Sequence, residues 1–339
     1  MNRKICKFAP GKVALLKAVE PPGGKILFPE TFGYNFCQLG RVFLLPKLSL
    51  TDKEETIMKC KLGWFFTVCL CIFMVLIFTP VAFAAPDQSQ PQFLEVQITR
   101  PSVAFISDVV YEQPAIFGYS SIPLRMDLLV PVSKNPLPAV LFIPGGGFMS
   151  ANKDKLLQER ITIAEAGYVV ASIEYRVTPQ SVFPAALEDV KTAVRYLRAN
   201  ASKYNIDVNH IAVMGNSAGG YLAALAGTTN GVKEFEGKEY PDQSSEVQAV
   251  IDLYGLSDLT QIGYGFPEKV QKAHASPSAP EGMWLHGAAI FSSGGSVFDD
   301  PQKAAWANPI TYVTEDDPPF LIFHGDKDVL VSPYESKIL

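Results

Sequence analysis

Residues 210–225 read HIAVMGNSAGGYLAAL, and their reading decides the fold. Residues 210–214 form an apolar run of the kind that fills a strand buried on both faces. A helix opens immediately after Ser217. Between strand and helix, Gly215, Ser217 and Gly219 have the spacing G-x-S-x-G. So tight a strand-to-helix turn forces its central serine into a strained backbone conformation, which glycines two positions away on each side make sterically possible. The turn lifts the Ser217 Oγ out of the sheet and sets it at a helix N-terminus, where backbone N–H groups favour a developing oxyanion. The alternative is an ordinary glycine-rich turn capped by Ser217.

Two further segments bear on that serine. Residues 139–143, AVLFI, form a second continuous apolar run, and it ends at Pro144-Gly145-Gly146-Gly147-Phe148. Without side chains the backbone approaches a substrate closely, and its N–H groups can point at a carbonyl oxygen beside the N–H of Ala218. A phosphate-binding loop is excluded, because neither G-x-x-x-x-G-K-[ST] nor G-x-G-x-x-G is present here; a plain tight turn is the other reading. The third segment is His324-Gly325-Asp326-Lys327-Asp328, after the apolar run 320–323. A carboxylate at the carboxyl end of a late parallel strand can orient a histidine on the same edge as Ser217. Asp328, further into the loop, is favoured over Asp326; a surface turn held by Asx hydrogen bonds is the alternative for both.

The rest of the chain supports an α/β fold. Short strands are expected at 93–99, 109–112 and 124–130, antiparallel at a sheet edge, then at 139–143, 168–173, 210–214, 247–253 and 320–324. Residues 153–166 and 184–204 have helical spacing, the first ended by Gly167. Strand–helix alternation of this kind predicts a mostly parallel sheet with helices on both faces. Residues 256–308 break the pattern with Gly, Ser, Pro and aromatics. A stretch like this, late in such a chain, is expected to cap a site as a small lid-like insert.

Composition divides the chain in two. All five cysteines precede residue 85, and so do 11 of the 29 Lys+Arg but only 5 of the 34 Asp+Glu. Residues 85–339 therefore hold 18 basic against 29 acidic side chains, a formal charge of −11. A body this acidic argues against nucleic acid and anionic membrane as partners. Without cysteine it holds neither a disulfide framework nor a thiolate metal site. Residues 58–84 run from Met58 and a short basic segment, through an uncharged apolar stretch, to Ala82-Phe83-Ala84. That is the order of a signal peptide, with an uncleaved anchor helix as the rival, and either places the body outside the cytoplasm. Residues 1–57, which lack periodicity, are read as a non-native extension preceding a start at Met58.

Together the segments 143–148, 174–207, 211–225, 252–259 and 318–336 resemble the α/β-hydrolase carboxylesterases of the bacterial feruloyl-esterase-like (BD-FAE-like) and hormone-sensitive-lipase groups. The resemblance covers most of residues 125–339. It implies Ser217 as nucleophile, Asp328 as the acid, and Gly146, Gly147 and Ala218 as oxyanion donors. It implies a small ester substrate, such as an acetyl or feruloyl ester on carbohydrate, with no metal or organic cofactor. Pro144 departs from the histidine usual in these families. The larger departure is the base. Their histidine follows the acid by some tens of residues, whereas only 11 residues follow Asp328 and none is histidine. The last strand and helix of the fold are accordingly expected to be missing. His210, His274 and His286 are not in the expected place, and His324 is a residue these families carry in addition to the catalytic one. Two other functions stay open. One is a non-catalytic binding protein on a hydrolase fold. The other is a prolyl-oligopeptidase-type peptidase, although fewer than 60 residues separate Ala85 from the first hydrolase motif.

Overall fold

The computed structural model describes residues 100–116 and 118–339. The leader 1–57, the signal-like segment 58–84 and the strand expected at 93–99 lie outside them. Among the described residues no helix is long and apolar enough to cross a membrane.

Seven strands form one sheet: β1 (Val103–Glu112), β2 (Leu124–Pro131), β3 (Leu137–Ile143), β4 (Val169–Ile173), β5 (Ile206–Asn216), β6 (Ala249–Leu253) and β7 (Phe320–Phe323). Their order across the sheet is β1-β2-β4-β3-β5-β6-β7. The first two strands add on antiparallel, and the block β4-β3-β5-β6-β7 is parallel. The expected architecture is therefore present, with β1 beginning earlier than the alternation at 109–112 marks. Phe105 and Val110 in β1 are exposed, so this edge strand carries little of the periodic burial that a sequence reading detects.

Between the strands run α1 (Leu157–Glu165), α2 (Ala185–Ala199), α3 (Ala201–Tyr204) and α4 (Ala218–Thr228). Two helices differ from their expected bounds for local reasons. Leu156 takes a left-handed conformation, φ 51°, which delays α1 to Leu157. The helix expected over 184–204 breaks at Asn200, whose backbone leaves helical geometry and starts α3. The helix α4 is buried along its whole length and is built from Ala, Gly, Leu, Tyr and Thr. Small side chains let it lie directly on the sheet. Beneath it Leu141, Ile143 and Val213 are fully buried, and complete burial of such a side chain contributes about 1.5–3 kcal/mol.

The insert 256–308 is a docked structure. It carries α5 (Glu268–His274), α6 (Pro280–His286) and α7 (Pro301–Trp306). Trp284, Leu285, Val297, Ala304 and Ala307 join the main core with at most 1% exposure. The insert opens on a carboxylate: Glu335, in the short helix α8 (Glu335–Ile338), accepts from the N–H groups of Ser257 (2.8 Å) and Asp258 (2.9 Å). The Ser257 hydroxyl donates to the Glu335 carbonyl oxygen. Burial disfavours the Glu335 charge and pushes its pKa from 4.5 up to about 7. Asp252 in β6, wholly buried and accepting from Gly255 N–H at 2.8 Å, is raised to about 7 for the same reason. Both carboxyls keep in the folded state a proton that the unfolded chain releases near pH 4. Their contribution to stability is thus full below about pH 4 and lost as pH rises to about 7. Urea midpoints measured across that window should fall with rising pH, and Glu335→Gln should flatten the fall. An unchanged slope in the variant would show that this carboxyl is charged in the folded state.

Candidate active site

Three loops meet at one rim because they leave the carboxyl ends of three parallel strands: the glycine loop after β3, the Ser217 turn after β5 and the Asp328 loop after β7. Ser217 has φ 54° and ψ −125°, a region that a residue with a Cβ enters only under constraint. The constraint is visible on both sides. Ser217 N–H donates to the Leu253 carbonyl at 2.9 Å, and the Ser217 carbonyl accepts from Tyr221 N–H at 3.0 Å. The flanking glycines are required by contact. A Cβ on Gly215 would collide with the Gly219 carbonyl oxygen, and one on Gly219 with the carbonyl oxygen of Ile143. The elbow is thus wedged against the end of β3, and Ser217 sits on the first turn of α4.

The glycine loop is held almost entirely by its carbonyls. Tyr175 Oη donates to Pro144 O at 2.7 Å, Lys155 Nζ to Gly145 O at 2.5 Å, and Met149 and Ser150 N–H to Gly146 O at 3.1 and 3.2 Å. Thr178 gives both its N–H (2.9 Å) and its hydroxyl (3.1 Å) to Phe148 O. One N–H is also committed, Gly145 donating at 3.0 Å to Oδ1 of Asn216, the residue before the serine. Gly147 and Phe148 have φ 57° and 63°, which turns the loop back on itself. Among the described residues no acceptor takes the N–H groups of Gly146, Gly147 or Ala218. Three donors are therefore free on the rim that carries Ser217. The Gly145 carbonyl and the Gly146 N–H belong to one peptide group. An ammonium donating to that carbonyl polarises the group and strengthens the N–H as a donor.

The Phe148 side chain pins the loop from below. Its ring stacks on Trp284 (centroids 4.6 Å apart) and meets the edge of Tyr221 (5.4 Å). Trp284 Nε1 donates to Tyr221 Oη at 3.1 Å, and Tyr221 Oη to Ala307 O at 2.5 Å. The insert therefore braces the glycine loop from residues more than a hundred positions away. None of Lys155, Asn216, Tyr175 or Trp284 stood out in the sequence. The signal available was position alone, for Asn216 inside the serine motif and Lys155 ten residues after Gly145.

The two candidate aspartates separate clearly. Asp326 is exposed in the turn, whereas Asp328 points inward, its side chain 20% exposed. Asp328 Oδ1 accepts from Leu330 N–H (2.8 Å) and Val331 N–H (3.0 Å), leaving Oδ2 at 3.5 Å from His324 Nε2. His324 Nε2 also faces Val331 O at 3.1 Å, so it carries the hydrogen, and Nδ1 accepts from the Ser336 hydroxyl at 2.7 Å. His324 thereby closes the β7–α8 connection and has no lone pair left for Ser217. The other histidines are also placed elsewhere: His210 is exposed and bonded to Asp207 (2.7 Å), His274 is bonded to Glu281 (3.1 Å), and His286 ends α6 with Nε2 buried. Burial costs His274 some of its affinity for a proton, but the Glu281 carboxylate outweighs that and raises its pKa. Among the described residues no group of His, Cys, Asp or Glu is arranged to hold a metal ion.

A mostly parallel sheet, a serine on a strained elbow after its central strand and an acid loop after a later one define the α/β-hydrolase fold. The BD-FAE family model matches residues 126–339, and the chain belongs to that family. It is 33% identical to Esterase LipC of Mycobacterium tuberculosis over 204 residues, 58% of this chain and 45% of that protein. Esterase LipQ of the same organism is 30% identical over 202 residues, 59% of this chain and 44% of LipQ. The chain thus spans a little under half the length of the curated relatives it matches. Among solved structures it is similar to a truncated form of a carbohydrate esterase from gut microbiota, with 30% identity and a TM-score of 0.59 over 70% of this chain and 82% of that one. It is also similar to a bifunctional GH43-CE protein of Bacteroides eggerthii, with 32% identity and a TM-score of 0.58 over 69% of this chain and 32% of that one.

The wedged elbow generates a direct test. Gly219→Ala places a methyl group against the Ile143 carbonyl and should destabilise by about 1–3 kcal/mol, read as a lower urea midpoint at unchanged slope. An unchanged midpoint would mean that the elbow relaxes freely.

Proposed function

We propose that this protein hydrolyses carboxylic esters, with Ser217 as nucleophile. The observation that carries the reading is the conjunction of the strained Ser217 backbone with free N–H groups on Gly146, Gly147 and Ala218 at the same rim. Ser217 Oγ attacks the ester carbonyl. The oxygen that gains charge is received by those three N–H groups, already fixed in place before the reaction, which is the arrangement that stabilises a transition state most. A histidine takes the Ser217 proton, gives it to the departing alcohol and then activates the water that releases the acid. Asp328 Oδ2 orients that histidine, while Oδ1 is held by the loop. No hydrogen bond joins His210, His274, His286 or His324 to Ser217, so none of these four is assigned as that base.

The names borne by the relatives support the reaction class, and the carbohydrate-esterase neighbours support an acylated sugar, such as an acetyl or feruloyl ester, as the substrate. We further propose export through the segment 58–84, which would bring the enzyme to such polymers outside the cell.

A missing base can be supplied from solution. Imidazole added to the 339-residue chain should raise its hydrolysis of p-nitrophenyl acetate above the rate that imidazole gives with Ser217→Ala. Elbow and oxyanion donors alone sustain on the order of 10³–10⁴-fold over water when a triad member is lost, so a smaller Ser217-dependent rate is expected without imidazole. Equal rates for the two proteins at every imidazole concentration would remove Ser217 from the mechanism.

A further inference from the structure

A cavity of about 200 Å³ lies within the insert, apart from the serine and its donors. Its floor is apolar and buried: Leu259, Ile262 and Val297. Its walls are two half-exposed rings, Tyr264 (55%) and Phe298 (51%). The Tyr264 ring packs on Tyr334 with centroids 4.2 Å apart and planes tilted by 32°, so one face of it is backed. The segment holding Tyr264 is itself anchored: Ser332 donates its N–H to Ile262 O (3.1 Å) and its hydroxyl to Tyr264 O (2.6 Å). Ser332 is four residues beyond Asp328, and residues 259–264 follow β6, whose end holds the Ser217 backbone. The cavity is therefore anchored to the segment that follows Asp328.

The lining restricts what can occupy it. No Lys, Arg, Asp or Glu is present, so an ion would be desolvated there without a partner. A purely apolar ligand fits poorly as well, because three polar groups converge on the space. Gln271 commits its amide nitrogen to Phe266 O at 2.7 Å and keeps its oxygen free. His274 binds Glu281 through Nδ1 and keeps Nε2 free. Gln261 supplies a second amide and the third polar group. At about 200 Å³ the space is below the roughly 300 Å³ where sites for drug-sized ligands begin, which leaves room for one small ring. Aromatic faces are negative and attract C–H groups, while amides and imidazole bond hydroxyls. A neutral pyranose presents both: C–H groups on its faces and hydroxyls around its edge.

We propose that this cavity is a sugar subsite that binds one neutral pyranose unit against Tyr264 and Phe298. The assignment deepens the ester-hydrolase reading, on which it rests for what the sugar carries, because it places the alcohol side of an acylated carbohydrate on the insert. Calorimetric titration of the full Ser217→Ala chain with methyl β-xylopyranoside, methyl β-glucopyranoside and cyclohexanol tests it. At least one glycoside should bind with millimolar affinity, while cyclohexanol, a ring of similar size without the array of hydroxyls, should bind about tenfold more weakly or not at all. Tyr264→Ala and Phe298→Ala, at exposed positions, should melt like the parent and lose about tenfold in glycoside affinity. Absence of binding by both glycosides, equal binding of cyclohexanol, or full affinity in Tyr264→Ala would each overturn the subsite. Glycoside binding that persists although imidazole elicits no Ser217-dependent turnover would leave the subsite standing and refute the esterase.

Discussion

The backbone of Ser217 is held where a side-chain-bearing residue does not rest by itself, and much of the rim is organised to keep it there. Its N–H is tied to Leu253 at the end of β6, its carbonyl starts α4, and the glycines around it leave no room for the turn to open. Strain of this kind persists only where the surroundings over-determine it. Here they do so through the sheet itself. In the β3–β5–β6 ladder Ile143 faces Gly215 and Asn216 faces Leu253, so the turn sits where three parallel strands are still in register. The elbow is thus as rigid as the core beneath it.

The glycine loop reaches comparable rigidity by other means. It has no strand ladder, so side chains supply its partners: Tyr175, Lys155, Thr178 and Asn216. Their pattern is selective. Tyr175, Lys155 and Thr178 satisfy carbonyls and Asn216 accepts from Gly145 N–H, while among the described residues the N–H groups of Gly146 and Gly147 have no acceptor. A negative oxygen arriving there would meet donors that the protein has not already spent on itself. Phe148, sandwiched between the loop and Trp284, couples this arrangement to the insert. An insert that reads in sequence as a lid is in part a brace.

The parts legible in the sequence were those in which the pattern and the geometry coincide. The runs before Gly215 and before Pro144 are buried on both faces and appear as central strands. The spacing of Gly215, Ser217 and Gly219 follows from contacts that only a missing Cβ allows. The parts that escaped depend on distance along the chain. Nothing near Phe148 foretells that Trp284 will stack on it, and nothing near Ser257 foretells the carboxylate of Glu335. Lys155 resembles any charged residue in a polar loop until the Gly145 carbonyl is seen beside it. The subsite rings escaped for a related reason, since Tyr264 and Phe298 lie in segments without periodicity and their adjacency is created by folding.

This division has a consequence for how such a protein can change. Residues that fix the serine and its donors are set by the sheet register and by glycine contacts, and a substitution there disturbs stability and geometry together. The cavity at Tyr264 and Phe298 is built mainly from the insert, with side chains more than half exposed and only its floor shared with the core. Substitutions at those rings alter the shape and polarity of the site while leaving the elbow's support intact. Tyr334, which backs one ring, lies on the short link from Asp328 to Glu335, so the ligand-facing surface is positioned by the segment that presents the acid. Recognition and chemistry are thereby encoded in different segments yet held in one frame, and what the insert presents can diverge without reworking the sheet.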